Sequence, residues 1–215
     1  MLAFSVSTSY EFNFENSNQH WLGDFADYPK DSETFYELSF GWENIPGEQS
    51  LYKKGLFLSG INHSDDLFMF VKTEVAGLKN DTNYMVTITV DLLSNVPEGQ
   101  VGIGGAEGEA VYVKAGASTI EPLKILSGDQ YLLNVDKGNQ HTSGTNAVVI
   151  GDLANPLVNP LKRTYEVLSF NNIAMPLYVK SDHAGKMWIF VGTDSGFEGF
   201  TKYYVGKVKV NFEEK

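Results

Sequence analysis

Apolar and polar positions alternate with a two-residue period along much of this chain. In YEFNFE, residues 10–15, Tyr10, Phe12 and Phe14 share one face and Glu11, Asn13 and Glu15 the other. That is the signature of a half-buried strand. In residues 84–92, Tyr84, Val86, Ile88, Val90 and Leu92 face one way, and Met85, Thr87, Thr89 and Asp91 the other. Asn80-Asp81-Thr82 supplies turn chemistry ahead of this strand. The spacing from Leu78 to Tyr84 predicts a ring that caps the core and a hydroxyl that returns to the backbone. The end of the chain, YYVGKVKVNF, repeats the pattern, with Val208, Val210 and Phe212 inward and Lys207, Lys209 and Asn211 outward.

Further strands are expected at 55–59, 67–75, 100–104, 110–114, 131–135, 147–151, 165–170, 176–180 and 186–192. Residues 16–50 lack sustained alternation and read as a long loop region with one short strand near 35–40. No long window keeps a 3.6-residue period, so helices should be few and short. The expectation is all-β: one antiparallel two-sheet sandwich of jelly-roll type spanning residues 1–215.

Charge narrows the partners. The 16 basic residues against 27 acidic ones leave a formal charge of −11, and no basic run exceeds Lys53-Lys54 or Lys162-Arg163. A phosphate backbone would be repelled, so nucleic acid is not an expected partner. There is no cysteine, which excludes disulfides, zinc–thiolate sites and cysteine nucleophiles. No segment is apolar for long enough to span a membrane as a helix. The opening MLAFSVSTSY lacks the basic and apolar regions of a signal peptide, so a secretory signal would have been trimmed from it.

Candidate chemistry gathers in four polar stretches: NHSDD (62–66), GGAEGEA (104–110), NVDKGNQH (134–141) and GTDSGFEG (192–199). Each combines carboxylates with Gly or Asn, an oxygen-rich mixture that suits calcium; it is also ordinary loop composition. The ligand-binding candidates are Asn62, His63, Asp65, Asp66, Glu107, Glu109, Asp136, Lys137, Asn139, Asp194 and Glu198. Period two would put Glu107 and Glu109 on one face of a strand. Asp65 and Asp66 should diverge, one exposed, the other buried and either accepting hydrogen bonds, with a neighbouring loop as donor, or meeting a cation. Trp21 and Trp42 join the list because exposed aromatic faces stack on sugar rings; the alternative is that they cover one end of the core. His20, His63, His141 and His183 share no metal-ligand spacing. GIGGAEG lies between strands rather than before a helix, which argues against dinucleotide or phosphate loops, and no G-x-S-x-G elbow occurs.

The strings LFLSGINHSDDLFMFVK, GGAEGEAVYVKAGAS, NVDKGNQ and VGTDSGFEGFTKYY, with FNFENSNQHW near the start, resemble a family of uncharacterised bacterial proteins, often exported lipoproteins. The resemblance implies a jelly-roll-like domain outside the cytoplasm, secreted or lipid-anchored. The general plan is also similar to that of carbohydrate-binding modules. Many of those hold a structural calcium between an acid near the first strand and another on the last. Glu15 is the metal candidate, although Gly206 stands where the second acid would be.

Three functions follow as alternatives: a non-catalytic carbohydrate-binding module, a polysaccharide-active hydrolase or lyase using loop carboxylates, and a structural or adhesion domain of the cell envelope.

Overall fold

The computed structural model describes residues 7–47, 51–64 and 66–215. Asp65 therefore lies outside the described residues. Fifteen strands follow one another, and no helix occurs among the described residues. They are β1 (Ser7–Asn13), β2 (Leu22–Ala26), β3 (Tyr28–Pro29), β4 (Ser39–Asn44), β5 (Lys54–Ile61), β6 (Leu67–Ala76), β7 (Asn83–Ser94), β8 (Val111–Ser118), β9 (Lys124–Ser127), β10 (Gln130–Leu133), β11 (Ala147–Asp152), β12 (Glu166–Asn171), β13 (Leu177–Lys180), β14 (Lys186–Ser195) and β15 (Phe200–Glu214).

All strand pairs are antiparallel. One sheet runs β12-β7-β15-β5-β4, with β1 also on β15 and β13 also on β7; the other runs β11-β8-β14-β6-β2. Between them lies the main core. Val86, Ile88, Val90, Val208, Val210 and Phe212 fill it from the first sheet, and Met69, Val71, Val113, Ala115, Ile189 and Val191 from the second. These are the alternate positions of β7, β15, β6, β8 and β14, so the period-two pattern sets which face is buried. The fold is thus the all-β sandwich expected from the alternation. Tyr84 is buried, and its hydroxyl accepts the Lys79 N–H at 2.9 Å, closing the turn before β7.

The β6 segment does not alternate: Leu67 to Thr73 are all buried. The reason is a second cover. The outward faces of Phe68, Phe70 and Phe190 form another apolar cluster with Ala26, Val135 and Ala147. A strand covered on both faces reads as a continuous apolar run. Phe190 stands opposite Gly116, where a Cβ would fall 2.1 Å from its ring. The small β3-β10-β9 sheet and the loop that follows it provide part of that cover.

Three local expectations change. Residues 16–50 contain β2, β3 and β4 rather than one strand near 35–40. Residues 100–110 form turns with an isolated bridge at Ile103, so Glu107 and Glu109 are not paired on a strand face. β9 was not anticipated, because its four residues are mostly exposed and carry no alternation of burial.

Candidate functional site

The outward face of the five-stranded sheet carries charge where the aromatic cluster ends. Asp194 on β14 and Lys114 on β8 point away from the main core, yet both side chains are wholly buried. The loop after β10 covers them and inserts Lys137. Asp27 occupies the single-residue link between β2 and β3, with a φ of 62°. Aspartate tolerates this left-handed conformation better than most residues. Asp66 stands at the entrance to β6.

These groups converge. Lys137 Nζ lies 2.7 Å from Asp194 Oδ2 and 2.7 Å from Asp27 Oδ2. The Asp27 contact is an ion pair without hydrogen-bond alignment. Lys114 Nζ lies 2.9 Å from the same Asp194 oxygen and donates to the carbonyls of Lys137 (2.8 Å) and Thr142 (3.0 Å). The Gln140 N–H completes that oxygen at 2.8 Å. Asp194 Oδ1 and Asp66 Oδ1 are buried and take no N–H donor among the described residues, and the two side chains are hydrogen-bond partners when Asp66 carries a proton.

Three carboxylates thus face two ammonium groups. Burial, then the charges of Asp27 and Asp194, push the Asp66 carboxyl up to about 8. Burial also raises Asp27, against the pull of Lys137. For Lys137, burial works against the charge, but Asp194 and Asp27 outweigh it and the pKa is raised; for Lys114 burial wins and the pKa is lowered. Three acids against two ammonium groups favour uptake of one proton, and within the cluster the pull on that proton is strongest at Asp66. Among the described residues the loop N–H goes to Asp194, and the cation that faces Asp66 is Lys137.

Above the network a cleft of about 330 Å³ opens, lined by Asp27, Asp66, Asp136, Lys137, Gly138 and Asn139, with Leu132, Leu133 and Val135 as an apolar wall. Asp136 is held by the Gly138 N–H and by Thr145, whose backbone and hydroxyl hydrogen bonds keep its carboxyl below the usual range. Asn139 is exposed, and its side-chain amide makes no hydrogen bond among the described residues.

The structure therefore brings together Asp66, Asp136, Lys137, Asn139 and Asp194 from the sequence candidates. The others lie elsewhere. Asn62 is buried and donates to the Ser195 and Phe197 carbonyls (2.9 and 3.0 Å) while accepting the Ser64 N–H, so it clamps two loops together. His63 stacks on Phe35 with centroids 4.0 Å apart. Glu107 pairs with Arg163 at 2.6 Å, Glu109 accepts the Gly99 N–H, and the Glu198 N–H bonds to Ile103.

Three candidates need correction. Trp21 is 0% exposed, wedged edge-on against Phe12 and Phe14, so no sugar can stack on it. Trp42 packs against the core, donates to the Phe14 carbonyl and has the Lys54 ammonium over its ring at 4.2 Å. Glu15 is a loop clasp: its Oε1 accepts the N–H groups of Lys53 (2.6 Å) and Lys54 (3.3 Å). The glycine opposite is required too, since Gly206 lies at a bulge in β15 where a Cβ would fall 2.6 Å from the Tyr52 ring. Among the described residues, the acids that converge closely enough for one ion are Asp27, Asp66 and Asp194, within 4.8 Å. Lys137 already holds two of them.

Asp27 and Lys114 escaped the sequence reading. Lys114 had a faint signal, a lone cation inside the apolar run VYVKAGAS. Asp27 had none, because its partners are distant in sequence.

No family model matches the sequence, and no curated protein matches it. Solved structures do resemble it. A carbohydrate-binding module of the β-sandwich superfamily aligns with a TM-score of 0.43 at 12% identity, over 91% of this chain and 58% of that one. The enzymatically active domain of bacteriophage CBA120 tailspike protein 4 aligns at 0.40 and 10%, over 91% and 20%. A putative sugar-binding protein from Bacteroides thetaiotaomicron VPI-5482 aligns at 0.44 and 9%, over 94% and 92%. This chain spans well under two thirds of the first two structures. The sandwich itself rests on this chain's own strand pairing.

Proposed function

We propose that this protein is a non-catalytic carbohydrate-binding module, a single β-sandwich domain working outside the cytoplasm. The observation that supports it most is the make-up of the cleft over the buried ion network. Its volume is at the small end of ligand pockets, and it sets a few convergent polar groups against an apolar wall. Asp27 can accept a hydrogen bond, and the Asn139 amide can both donate and accept. Leu132, Leu133 and Val135 offer a surface to the C–H face of a ring. An uncharged polyhydroxylated ligand matches that combination, and the extracytoplasmic location rests on the sequence resemblance.

The pairing of the carboxylates favours binding over hydrolysis. Glycosidase carboxyls flank the scissile bond about 5–5.5 Å apart in retaining enzymes and about 6.5–9.5 Å apart in inverting ones. Here Asp27 and Asp194 share one ammonium, Lys137 Nζ at 2.7 Å from each, so a cation occupies the space between them. A substrate has no space between such partners.

Calorimetric titration with neutral oligosaccharides tests the reading. Binding is expected, with Asn139→Ala weakening it about tenfold, the worth of one or two hydrogen bonds, at unchanged melting temperature. Release of reducing ends or unsaturated products from a polysaccharide, or an Asn139→Ala protein that binds as wild type, would overturn it.

A further inference from the structure

A second cleft lies on the opposite side of the molecule, against the outward face of the seven-stranded sheet. Its volume is about 170 Å³, and its lining includes Glu107, Arg163, Tyr165, Phe200, Thr201 and Lys202. The floor is the start of β15, and the walls are the turn after β7 and the segment leading into β12.

The lining is rich in donors. Arg163 gives one N–H to Glu107 Oε1 (2.6 Å) and one to Gln100 Oε1 (3.1 Å), two of its five. Lys202 gives one of its three to Glu43 Oε1 at 2.7 Å, and its ammonium lies over the Phe57 ring at 4.4 Å and the Tyr204 ring at 5.3 Å. The Tyr165 hydroxyl makes no hydrogen bond among the described residues, while its ring is fixed edge-on against Tyr204 at 4.8 Å. Burial and the Glu43 charge push this phenol up to about 12, so it stays a donor at any working pH. Phe200, 55% exposed, supplies an apolar face at the rim.

On a chain of charge −11 this cleft is locally neutral, since Glu107 and Glu43 each hold one cation, and three Arg163 N–H groups and the Tyr165 hydroxyl are left unengaged beside its aromatic wall. Guanidinium and ammonium groups recognise carboxylate through charge-assisted hydrogen bonds. The small volume admits one ring, and aromatic walls suit its C–H face.

We propose that this cleft binds the carboxylate-bearing ring of an acidic saccharide, a hexuronate unit. The ligand's carboxylate would take the free donors of Arg163 and Tyr165, with the Lys202 charge beside them. Glu43 and Glu107 are built-in competitors, since each already holds one of the cations. The saccharide part rests on the carbohydrate-binding reading above, while the anion part stands on this cleft alone.

Titration with glucuronate, glucose and acetate, followed by calorimetry and by backbone amide shifts, tests it. Glucuronate is expected to perturb amides around Arg163, Tyr165 and Lys202 and to bind at least tenfold more tightly than glucose or acetate, with an affinity that falls as salt rises. Arg163→Gln and Lys202→Met should each weaken it tenfold or more. Glu43→Gln should strengthen it by freeing the Lys202 ammonium, which a purely structural role would not do. Glucose binding as well as glucuronate would overturn the carboxylate assignment, and acetate binding as well would overturn the sugar assignment. Wild-type affinity in both cation variants would remove the site. Neutral oligosaccharides perturb the Asn139 side of the molecule if the first reading holds, so the two readings fail separately.

Discussion

Asp66→Asn should make this protein more stable, and the gain should grow with pH. In the unfolded chain the Asp66 carboxyl titrates near its ordinary 3.8, whereas in the fold it titrates at about 8. Between these values the native state holds a proton that the unfolded state has released. Stability therefore falls as pH rises through this window and levels off above the folded value. At about 1.36 kcal/mol per pH unit, the gap sets a ceiling of about 6 kcal/mol at pH 9 and about 4 kcal/mol at pH 7. Asp66 titrates together with Asp27 and Asp194, so the whole cluster relaxes and part of that ceiling is lost; a difference of at least about 2 kcal/mol at pH 9 is expected. Asparagine keeps the shape and the donor of the neutral acid without the proton. Urea unfolding followed by tryptophan fluorescence at pH 5, 7 and 9 would measure the difference between the two proteins. Their curves should diverge steadily with pH. A constant difference across that range, or a variant less stable than wild type at pH 9, would refute the buried neutral acid.

Other substitutions probe the same architecture. Lys137→Met strands buried Asp27 without its ammonium and leaves Asp194 to Lys114 alone, which should cost about 3–5 kcal/mol in denaturant unfolding at pH 7; an unchanged midpoint would contradict the network. Asn62→Ala removes three hydrogen bonds from a buried clamp and takes the amide donor from the Ser195 and Phe197 carbonyls, the latter keeping the Ser195 hydroxyl, a loss of about 2–3 kcal/mol seen as a lower melting temperature. Gly206→Ala pushes a methyl group towards the Tyr52 ring and should destabilise by about 1–3 kcal/mol, and Tyr52→Ala in the same background should recover part of that strain in a double-mutant cycle.

Much of the scaffold was legible because strand formation is local. The alternation in YEFNFE and in residues 84–92 needs only neighbours in sequence to show which side chains turn inward, and β1 and β7 follow it. The Tyr84 turn was legible for the same reason, with its partner Lys79 five residues away. β6 shows the limit. LFMFVK reads as a strand, but its second buried face depends on Val135 and Ala147, which come from distant parts of the chain. The first candidate site sits beyond that limit. Composition marked Asp66, Asp136, Lys137 and Asp194 as loop or loop-edge polar residues, yet could not separate the loops that meet from those that do not: 134–141 closes over Asp194, while 104–110 folds away towards Arg163. Trp21 looked like a platform until the fold placed it between Phe12 and Phe14. Even the sign of the Asp66 effect was a tertiary matter. A carboxylate is favourable or costly according to the charges around it, and Asp27, Asp194, Lys114 and Lys137 become its neighbours only when β2, β6, β8 and β14 pair and the loop after β10 closes over them.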